Sequence, residues 1–425
     1  MDNLIVASVL FLLTYIFMIK FVNHRPIVVG ISALIFIILN IVPIKTVFSV
    51  IDFNVLLMIA GTMGLVSLFS DSLMPTKLAD LIINSFKDIR LIIIVLSLFA
   101  GVVSAFIDNV ATVLMIAPVA ISLSKKLNIS PVKMIIAISI ASNLQGAATL
   151  VGDTSSILLG SALNMTFFDF FVYNGKIGMF FIVQISAIVS TLFIYLAVRK
   201  LKGKVDKIEV TKVKDMVPTY LLLAMLALLI VASFIPAEKK ISILNGLICV
   251  SLAIVGVIYY LIRYKSTAIL KTVIAEIDYN TLALLAGLFI IISGIENAGV
   301  IDEVAKLFIK LSDKPFLLYT ALVWGSVLIS AFVDNIPYIA TMLPVLSVIS
   351  THVPFNMTVF YFGLLSGATL GGNITPIGAS ANIASLGILR ENGYTVSNKE
   401  FMKMSVPFTL SAVFVGYVLV WFIYK

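Results

Sequence analysis

Long apolar runs, separated by short polar connections, follow one another along the whole chain. A helix needs ~20 residues to cross the ~30 Å hydrocarbon core of a bilayer. Eight runs have about that length and predict simple membrane spans, at 4–21, 27–43, 53–70, 178–198, 217–235, 241–262, 280–297 and 405–424. Two longer runs, at 131–168 and 357–387, are interrupted by small and polar residues, and each predicts one helix broken in mid-membrane. We therefore expect ten spans.

The region 91–126 predicts a re-entrant hairpin, which enters and leaves the membrane on the same side. It has two short apolar legs, separated by the polar pair Asp108 and Asn109. Arg90 precedes the first leg and Lys125 lies at the end of the second. Because both ends are basic, we expect both on the basic side of the membrane, with the polar pair at the tip inside it.

The region 315–351 repeats this design around Asp334 and Asn335, and it predicts a second re-entrant hairpin. Each hairpin follows an amphipathic, charge-bearing segment, at 74–88 and at 301–313. Such segments are expected to lie along the membrane interface rather than to cross it.

The distribution of Lys and Arg orients these segments. If the linker 199–216 lies inside, 21 of the 29 basic residues, those of the linker included, lie inside, with Lys20 and Arg25 among them. Both termini then lie outside. No Lys or Arg is expected near the midplane, where the hairpin tips lie.

The composition excludes several kinds of chemistry. Only 12 % of the residues are charged and 61 % are apolar, so the chain uses lipid as its solvent. A single cysteine, Cys249, allows neither an internal disulfide nor a multi-thiol metal site, and His24 and His352 lie in short polar stretches. We therefore expect no enzyme, no resident cofactor or metal cluster, and, despite the net charge of +8, no nucleic-acid partner.

The two halves of the chain are related by a constant offset of 226 residues. The sequence IDFNVLLMIAG at 51–61 matches IDYNTLALLAG at 277–287, and SAFIDN at 104–109 matches SAFVDN at 330–335. In the broken helices, Gly146, Thr149, Gly152 and Ile157 match Gly372, Thr375, Gly378 and Ile383. A repeated unit explains this register, because it holds without gaps over more than a hundred residues.

This repeat defines the predicted fold, an all-α polytopic membrane protein. Each unit contains five spans, an odd number, so the second unit is expected upside down relative to the first. We predict two inverted repeats, 1–198 and 217–425, each with one re-entrant hairpin, joined by a cytoplasmic linker at 199–216. Inverted repeats with broken mid-membrane helices are typical of secondary transporters.

The three deepest acids of this topology are Asp108, Asp153 and Asp334. A carboxylate at the bilayer centre is costly and is by default a candidate functional group. Asp108 with Asn109, and Asp334 with Asn335, could offer hard oxygens to Na⁺ or exchange a proton. The alternative is that each Asp only caps the second helix of its hairpin. Asp52 and Asp278, at predicted helix starts, are interpreted as simple caps.

The broken helices supply the other candidates. Free N–H groups at half-helix starts attract anions, whereas carbonyls freed by unwinding attract cations. The alternative is that small residues here only permit close helix packing. Candidate substrate- or ion-binding residues in these stretches are Asn143, Thr149, Gly152, Asp153, Thr154, Ser155, Asn373, Thr375, Gly378, Ser380 and Asn382.

These motifs resemble the ion transporter superfamily, and within it the ArsB/NhaD permease group with the melanosomal P protein and its prokaryotic relatives. The resemblance lies in FIDNVATVLMIAP at 106–118, GAATLVGD at 146–153, AFVDNIPYIATMLP at 331–344 and LGGNITPIGASANIASLGI at 370–388. It implies a scaffold and a transport domain, with substrate and ion sites at the hairpin tips and broken helices, and a homodimer. Such relatives usually read Gly-Asp-Pro-Pro-Asn where this chain has Thr154, Ser155 and Ser156 after Gly152 and Asp153.

These observations predict a secondary active transporter of the cytoplasmic membrane of a prokaryote. Three acids and no basic residue at the midplane favour a cation, a proton-coupled process or a neutral solute. Our first hypothesis is an ArsB/NhaD-type carrier that moves arsenite, antimonite or Na⁺, coupled to H⁺ or Na⁺, by alternating access. The alternatives are Na⁺-coupled transport of a small anion, such as citrate, a dicarboxylate or an inorganic anion, and an anion channel.

Overall fold

The computed structural model describes residues 3–21, 24–201, 203–239 and 241–425. In these ranges the chain is helical, with one short antiparallel strand pair, β1 (Val172–Tyr173) and β2 (Lys176–Ile177). The helices up to β1 and β2 are α1 (Asn3–Lys20), α2 (Arg25–Ile38), α3 (Val47–Val50), α4 (Phe53–Asp71), α5 (Met74–Ser85), α6 (Ile89–Ser104), α7 (Asn109–Lys126), α8 (Val132–Gly146) and α9 (Thr154–Ala162).

Eleven further helices follow the strand pair in the described part of the chain. They are α10 (Met179–Val198), α11 (Val217–Ser233), α12 (Leu244–Tyr264), α13 (Ala268–Glu276), α14 (Tyr279–Asn297), α15 (Val300–Ile309), α16 (Pro315–Ser330), α17 (Asn335–Ser350), α18 (Thr358–Gly371), α19 (Ser380–Glu391) and α20 (Asn398–Tyr424).

Six of the described helices are long and apolar enough to cross a membrane, namely α1, α4, α10, α12, α14 and α20. Two predicted simple spans form shorter helices, because α2 has 14 residues and α11 has 17. Helix α2 ends before Asn40, which adopts a left-handed conformation with φ of 54°. Helix α11 ends before Pro236, which disfavours helical geometry at the preceding residue.

Each predicted hairpin region forms two helices joined by a tight turn. Helices α6 and α7 meet at 105–108, and α16 and α17 meet at 331–334. Asp108 Oδ1 accepts hydrogen bonds from the backbone N–H groups of Val110 (3.0 Å) and Ala111 (3.1 Å). Asp334 Oδ1 accepts one from the N–H of Ile336 (3.2 Å). Both aspartates therefore cap the second helix of their hairpin.

The first broken helix is unwound between Gly146 and Thr154, and this stretch packs against the turn of the first hairpin. The Thr149 hydroxyl donates a hydrogen bond to the Ala105 carbonyl. A Cβ on Gly152 would lie 2.7 Å from the carbonyl oxygens of both Ser104 and Ala105. Only glycine permits this approach of two backbones.

The second broken helix, unwound between Gly371 and Ser380, makes the same contacts. The Thr375 hydroxyl donates to the Ala331 carbonyl, and a Cβ on Gly378 would lie 2.9 Å from the carbonyl oxygen of Ser330. Every residue in this set is 226 positions after its counterpart. The sequence repeat is therefore also a repeat of tertiary contacts.

Helices from the two sequence halves are interleaved. Helix α4 packs along α12, α2 packs along α14, and α10 packs along α20. The α4–α12 contact is close at Gly61, where a Cβ would lie 2.4 Å from the backbone nitrogen of Val250. The two halves of the sequence thus share one apolar interior.

Residues 203–216, here called the linker strap, run over α5 and connect the halves. The backbone N–H and hydroxyl of Thr211 donate to the buried Asp80 carboxylate, at 2.9 Å and 2.6 Å. The Asn84 side chain exchanges two hydrogen bonds with the backbone of Ile208, at 2.9 Å and 2.8 Å. These side-chain contacts fix the strap although it forms no helix.

Candidate functional site

A cavity of about 450 Å³ lies beside the tip of the first hairpin, between α4, α7, the start of α9 and the segment before α14. Four carboxyl groups line it, those of Asp108, Asp153, Glu276 and Asp278, and no Lys or Arg is among its described lining residues. Its polar lining also includes Ser67, Ser70, Asn109, Thr154, Thr281, Asn335 and Ser380. We call it the site cavity.

Asp153 joins the two hairpin tips inside the site cavity. Its carboxylate accepts a hydrogen bond from Nδ2 of Asn335 at 3.2 Å and one from Nδ2 of Asn109 at 3.5 Å. Asn109 Nδ2 also lies 3.0 Å from Oδ1 of Asn143. Asp153 is only 5 % exposed. This buried carboxylate is therefore held by neutral amides, and no described ion pair compensates its charge.

Asp334 has a different electrostatic environment from Asp108. The Arg25 guanidinium forms a salt bridge to Asp334 Oδ2 at 3.0 Å, with side-chain exposures of 11 % for Arg25 and 5 % for Asp334. The Ser380 hydroxyl donates to the same oxygen at 3.3 Å. The expectation that no basic side chain lies near the hairpin tips is therefore wrong. Arg25 was expected in a cytoplasmic loop, but its long side chain reaches the tip from the start of α2.

Most other predicted residues of the broken helices stabilise the crossing and do not line the site cavity. Asn143 donates to the Thr369 carbonyl at 3.0 Å, and Asn373 donates to the Ile140 carbonyl at 2.9 Å. Asn382 Oδ1 accepts a hydrogen bond from Ser139 at 2.8 Å. The predicted residues that line the cavity are Asp108, Asn109, Asp153, Thr154, Asn335 and Ser380. Those that do not are Asn143, Thr149, Gly152, Ser155, Asp334, Asn373, Thr375, Gly378 and Asn382.

Sequence reasoning missed two acids of the site cavity. Asp278 is a helix cap, as expected, because its Oδ1 accepts from the N–H of Thr281 at 3.1 Å, but it also lines the cavity. Glu276 lies two positions earlier and lines the cavity as well. The sequence signal that could have identified these two acids is their position just before the predicted span 280–297, at and just before the start of the repeated motif 277–287.

A second cavity of about 450 Å³ adjoins the site cavity and shares Ser70, Leu114 and Met115 with it. It continues along α7 to Asp80 and to Thr211 of the linker strap. The lining of the two cavities together thus extends from the strap to the tip of the first hairpin.

A further cavity, of about 900 Å³, is lined from 48–54, 150–166 and 233–245. It reaches α4 at Met58, whereas the site cavity reaches α4 at Met63. At ~1.5 Å per residue, about 7.5 Å of helix separates these positions. The two cavities therefore reach α4 at different positions along its axis.

Several known proteins resemble this chain. A 46 kDa membrane protein of Mycobacterium leprae is 30% identical, over 78% of this chain and 77% of that protein. An uncharacterised transporter of Mycobacterium tuberculosis is 31% identical, again over 78% and 77%. The P protein of Homo sapiens is 28% identical over 86% of this chain, which matches 53% of its length. The predicted likeness to P protein is thereby confirmed.

Two solved structures share the fold. The YdaH transporter of Alcanivorax borkumensis has a TM-score of 0.60, 14% identity, and coverage of 88% of this chain and 86% of that one. MtrF of Neisseria gonorrhoeae, from a class of antimetabolite efflux pumps, has a TM-score of 0.57 and 15% identity, with coverage of 91% and 83%. The model of the CitMHS family, described as citrate transporter, matches residues 13–359. This chain therefore belongs to the CitMHS family and is a membrane transporter.

Proposed function

We propose that this protein is a secondary active transporter that binds a coupling cation or proton in the site cavity and moves a small solute through it. The observation that supports this proposal is the set of four cavity carboxyls without a basic residue among the described lining. Among these carboxyls Asp153 is buried and Asp108 is half-buried, and such carboxylates are costly in a membrane unless a cation or a proton neutralises them. Binding of H⁺ or Na⁺ is therefore the natural role of Asp108 and Asp153.

The solute that fits the family is a small carboxylate anion such as citrate. Each carboxylate of the cavity repels such an anion, by about 1 to 4 kcal/mol at ~4 Å in a well-solvated site. An anion therefore enters only together with cations or protons that cancel this charge. The half-helix start at Thr154 adds backbone N–H groups that favour one carboxylate group of the substrate.

A neutral or cationic solute is the second candidate, and the same absence of basic lining favours it. Arsenite is neutral As(OH)₃ at pH 7, and the amides and hydroxyls of Asn109, Asn335 and Thr154 suit its hydroxyl groups. Antimonite or Na⁺, moved in exchange for protons, fits the same lining. This is the ArsB/NhaD-type activity that the motifs suggest.

The proposal includes the membrane architecture. We place the two hairpins as re-entrant elements and the two halves as inverted repeats, supported by the repeated turn contacts 226 residues apart. In this arrangement the protein works by alternating access, with the linker strap on the cytoplasmic side. Bacterial relatives support a cytoplasmic membrane, and a homodimer fits the resemblance to the ion transporter superfamily.

The test is transport by the purified protein in proteoliposomes. Labelled citrate and labelled arsenite are offered separately, with imposed Na⁺ or pH gradients and with or without Mg²⁺. We expect saturating, gradient-dependent counterflow of one of them. Uncoupled current at high rate indicates an anion channel instead, and the absence of any ion dependence contradicts the proposal.

Asp108→Asn is the matched variant, because asparagine caps a helix as well as aspartate but carries no charge. It should fold normally and lose the ion dependence of transport. Asp88→Asn is the control, since Asp88 also caps a helix, by accepting from the N–H of Arg90 at 2.9 Å, but lines none of the cavities described above. Wild-type coupling in Asp108→Asn would show that the ion binds elsewhere.

A further inference from the structure

The two hairpin tips present the same pair of groups at equivalent positions. Asp108 and Thr154 line the site cavity at the first tip, and Asp334 and Ser380 are 226 residues later at the second. At each tip a carboxylate and a hydroxyl come from a hairpin turn and from the first residue of a half-helix. The sequence repeat therefore places an aspartate and a hydroxyl at corresponding positions of both tips, whereas Asp153 of the first tip corresponds to the uncharged Ala379 at the second.

The charge next to these clusters differs. No Lys or Arg forms an ion pair with Asp108 in the described structure, and this aspartate lines an open cavity. At the second tip the Arg25 guanidinium lies 3.0 Å from Asp334 Oδ2, the oxygen that also accepts from Ser380. The two tips thus differ in charge through Arg25 at the second tip and through Asp153 at the first.

We propose that Arg25 is a tethered cation that permanently occupies the second of two equivalent cation sites. The protein then binds one coupling cation, at Asp108, rather than two. This inference rests on the proposed cation coupling at the first tip, but it concerns different residues. It makes Arg25 the residue that sets the ion stoichiometry.

The position of Arg25 supports this role. Arg25 belongs to the first half of the sequence, but α2 packs along α14 of the second half and delivers the guanidinium to the second hairpin. The guanidinium also lies 3.4 Å from the Met18 carbonyl through Nε, so protein oxygens surround the fixed charge. A free cation at this tip would meet the same carboxylate and hydroxyl. Removing the guanidinium should therefore open a site for one.

The experiment measures thermal stability against Na⁺ concentration, with choline replacing Na⁺ at constant ionic strength. Arg25→Gln leaves the buried Asp334 without its partner and should melt lower than wild type in choline. Na⁺ should restore its stability in a saturable manner, by about 5 °C or more, because a ligand that binds only the folded state stabilises it. Na⁺ should not produce this additional rise in the melting temperature of wild type.

Two further variants distinguish a cation site vacated by Arg25 from the mere loss of the contact between Arg25 and Asp334. Arg25→Lys keeps a fixed positive charge and should lack the added Na⁺ response. The double variant Arg25→Gln/Asp334→Asn removes both charges and should also lack it, with a higher melting temperature in choline than Arg25→Gln alone. The proposal would be overturned if Arg25→Gln melts at a low temperature and Na⁺ raises that temperature no more than K⁺ does.

Direct ²²Na⁺ binding keeps the proposal testable if Arg25→Gln does not fold. Wild type should bind one Na⁺ per chain, and Asp108→Asn should abolish it; two bound Na⁺ would overturn the inference. Failure of the proposed function has another signature, which is the absence of any ion-dependent transport by wild type. If Na⁺ stabilises Arg25→Gln but not wild type, the result would support Arg25 as a tethered cation. It would at the same time contradict Na⁺ binding at Asp108.

Discussion

Gly152 is the position where a single methyl group should do most damage to the site. A Cβ there would lie 2.5 Å from the carbonyl oxygen of Gly146 and 2.7 Å from those of Ser104 and Ala105. Ordinary carbon contacts are ~3.5 Å or longer, so each oxygen must retreat by about 0.8 to 1 Å. All three are backbone atoms, which cannot evade the methyl by a change of rotamer.

The expected cost of Gly152→Ala follows from these contacts. Overpacking a close-packed interior typically costs about 1–3 kcal/mol, and three rigid neighbours place this substitution at the upper end. Two of the three oxygens belong to the turn that leads to Asp108, so the tip should shift relative to Asp153. At roughly 2 °C per kcal/mol, the melting temperature should fall by about 5 °C. Coupled transport should fall with it.

Gly325→Ala is the matched control, because a Cβ on Gly325 meets nothing within 4 Å. Gly325 lies inside α16, where alanine favours the helix over glycine by about 1 kcal/mol. Its melting temperature should be unchanged or slightly higher. Thermal unfolding of both variants in detergent, and uptake in proteoliposomes, test the reasoning. Wild-type stability and transport in Gly152→Ala would refute the close approach of the broken helix to the hairpin turn.

Three other variants test separate parts of the structure. Asp153→Asn should lower ion-coupled uptake at least ~10-fold, because it removes the negative charge and leaves only one oxygen to accept from the amides of the two hairpin tips; unchanged uptake would remove Asp153 from the site. Asp80→Ala leaves Thr211 without its acceptor and should cost about 1–3 kcal/mol, with faster tryptic cleavage of the linker strap as the readout. Cysteines at Lys87 and Lys126, in a cysteine-free chain, should both resist an impermeant thiol reagent added outside; opposite labelling would contradict the re-entrant hairpin.

The hairpin tips and the interrupted helices were accessible from the sequence because local signals mark them. Asp108 and Asp334 each separate two short apolar legs, and glycines mark the unwound stretches. The repeat then gave the pairing of equivalent positions without any structural knowledge. Local patterns of this kind depend only on neighbouring residues, and they are visible in one sequence.

Long-range pairing is what the sequence did not reveal. Arg25 is 309 residues from Asp334, and the rule that assigns basic residues to cytoplasmic loops takes no account of a side chain that reaches inward. The role of Asn143 and Asn373 could not be read either, because a buried amide serves equally as a ligand or as a donor to a distant carbonyl. Only the packing of the two halves decides between these uses.

The interleaving of the halves has a consequence for how the chain is made. Helix α4 ends at Asp71, but its partner α12 begins only at Leu244. A ribosome that adds roughly 5–20 residues per second needs on the order of 10 to 35 s to cover that distance. Until then the face of α4 at Gly61 lacks its native neighbour. Helix α2 lacks its partner α14 for longer still. The packing faces of α2 and α4 therefore stay open to lipid, insertases and proteases until the second half has been inserted, whereas α6, α7 and α8 can already pack against one another.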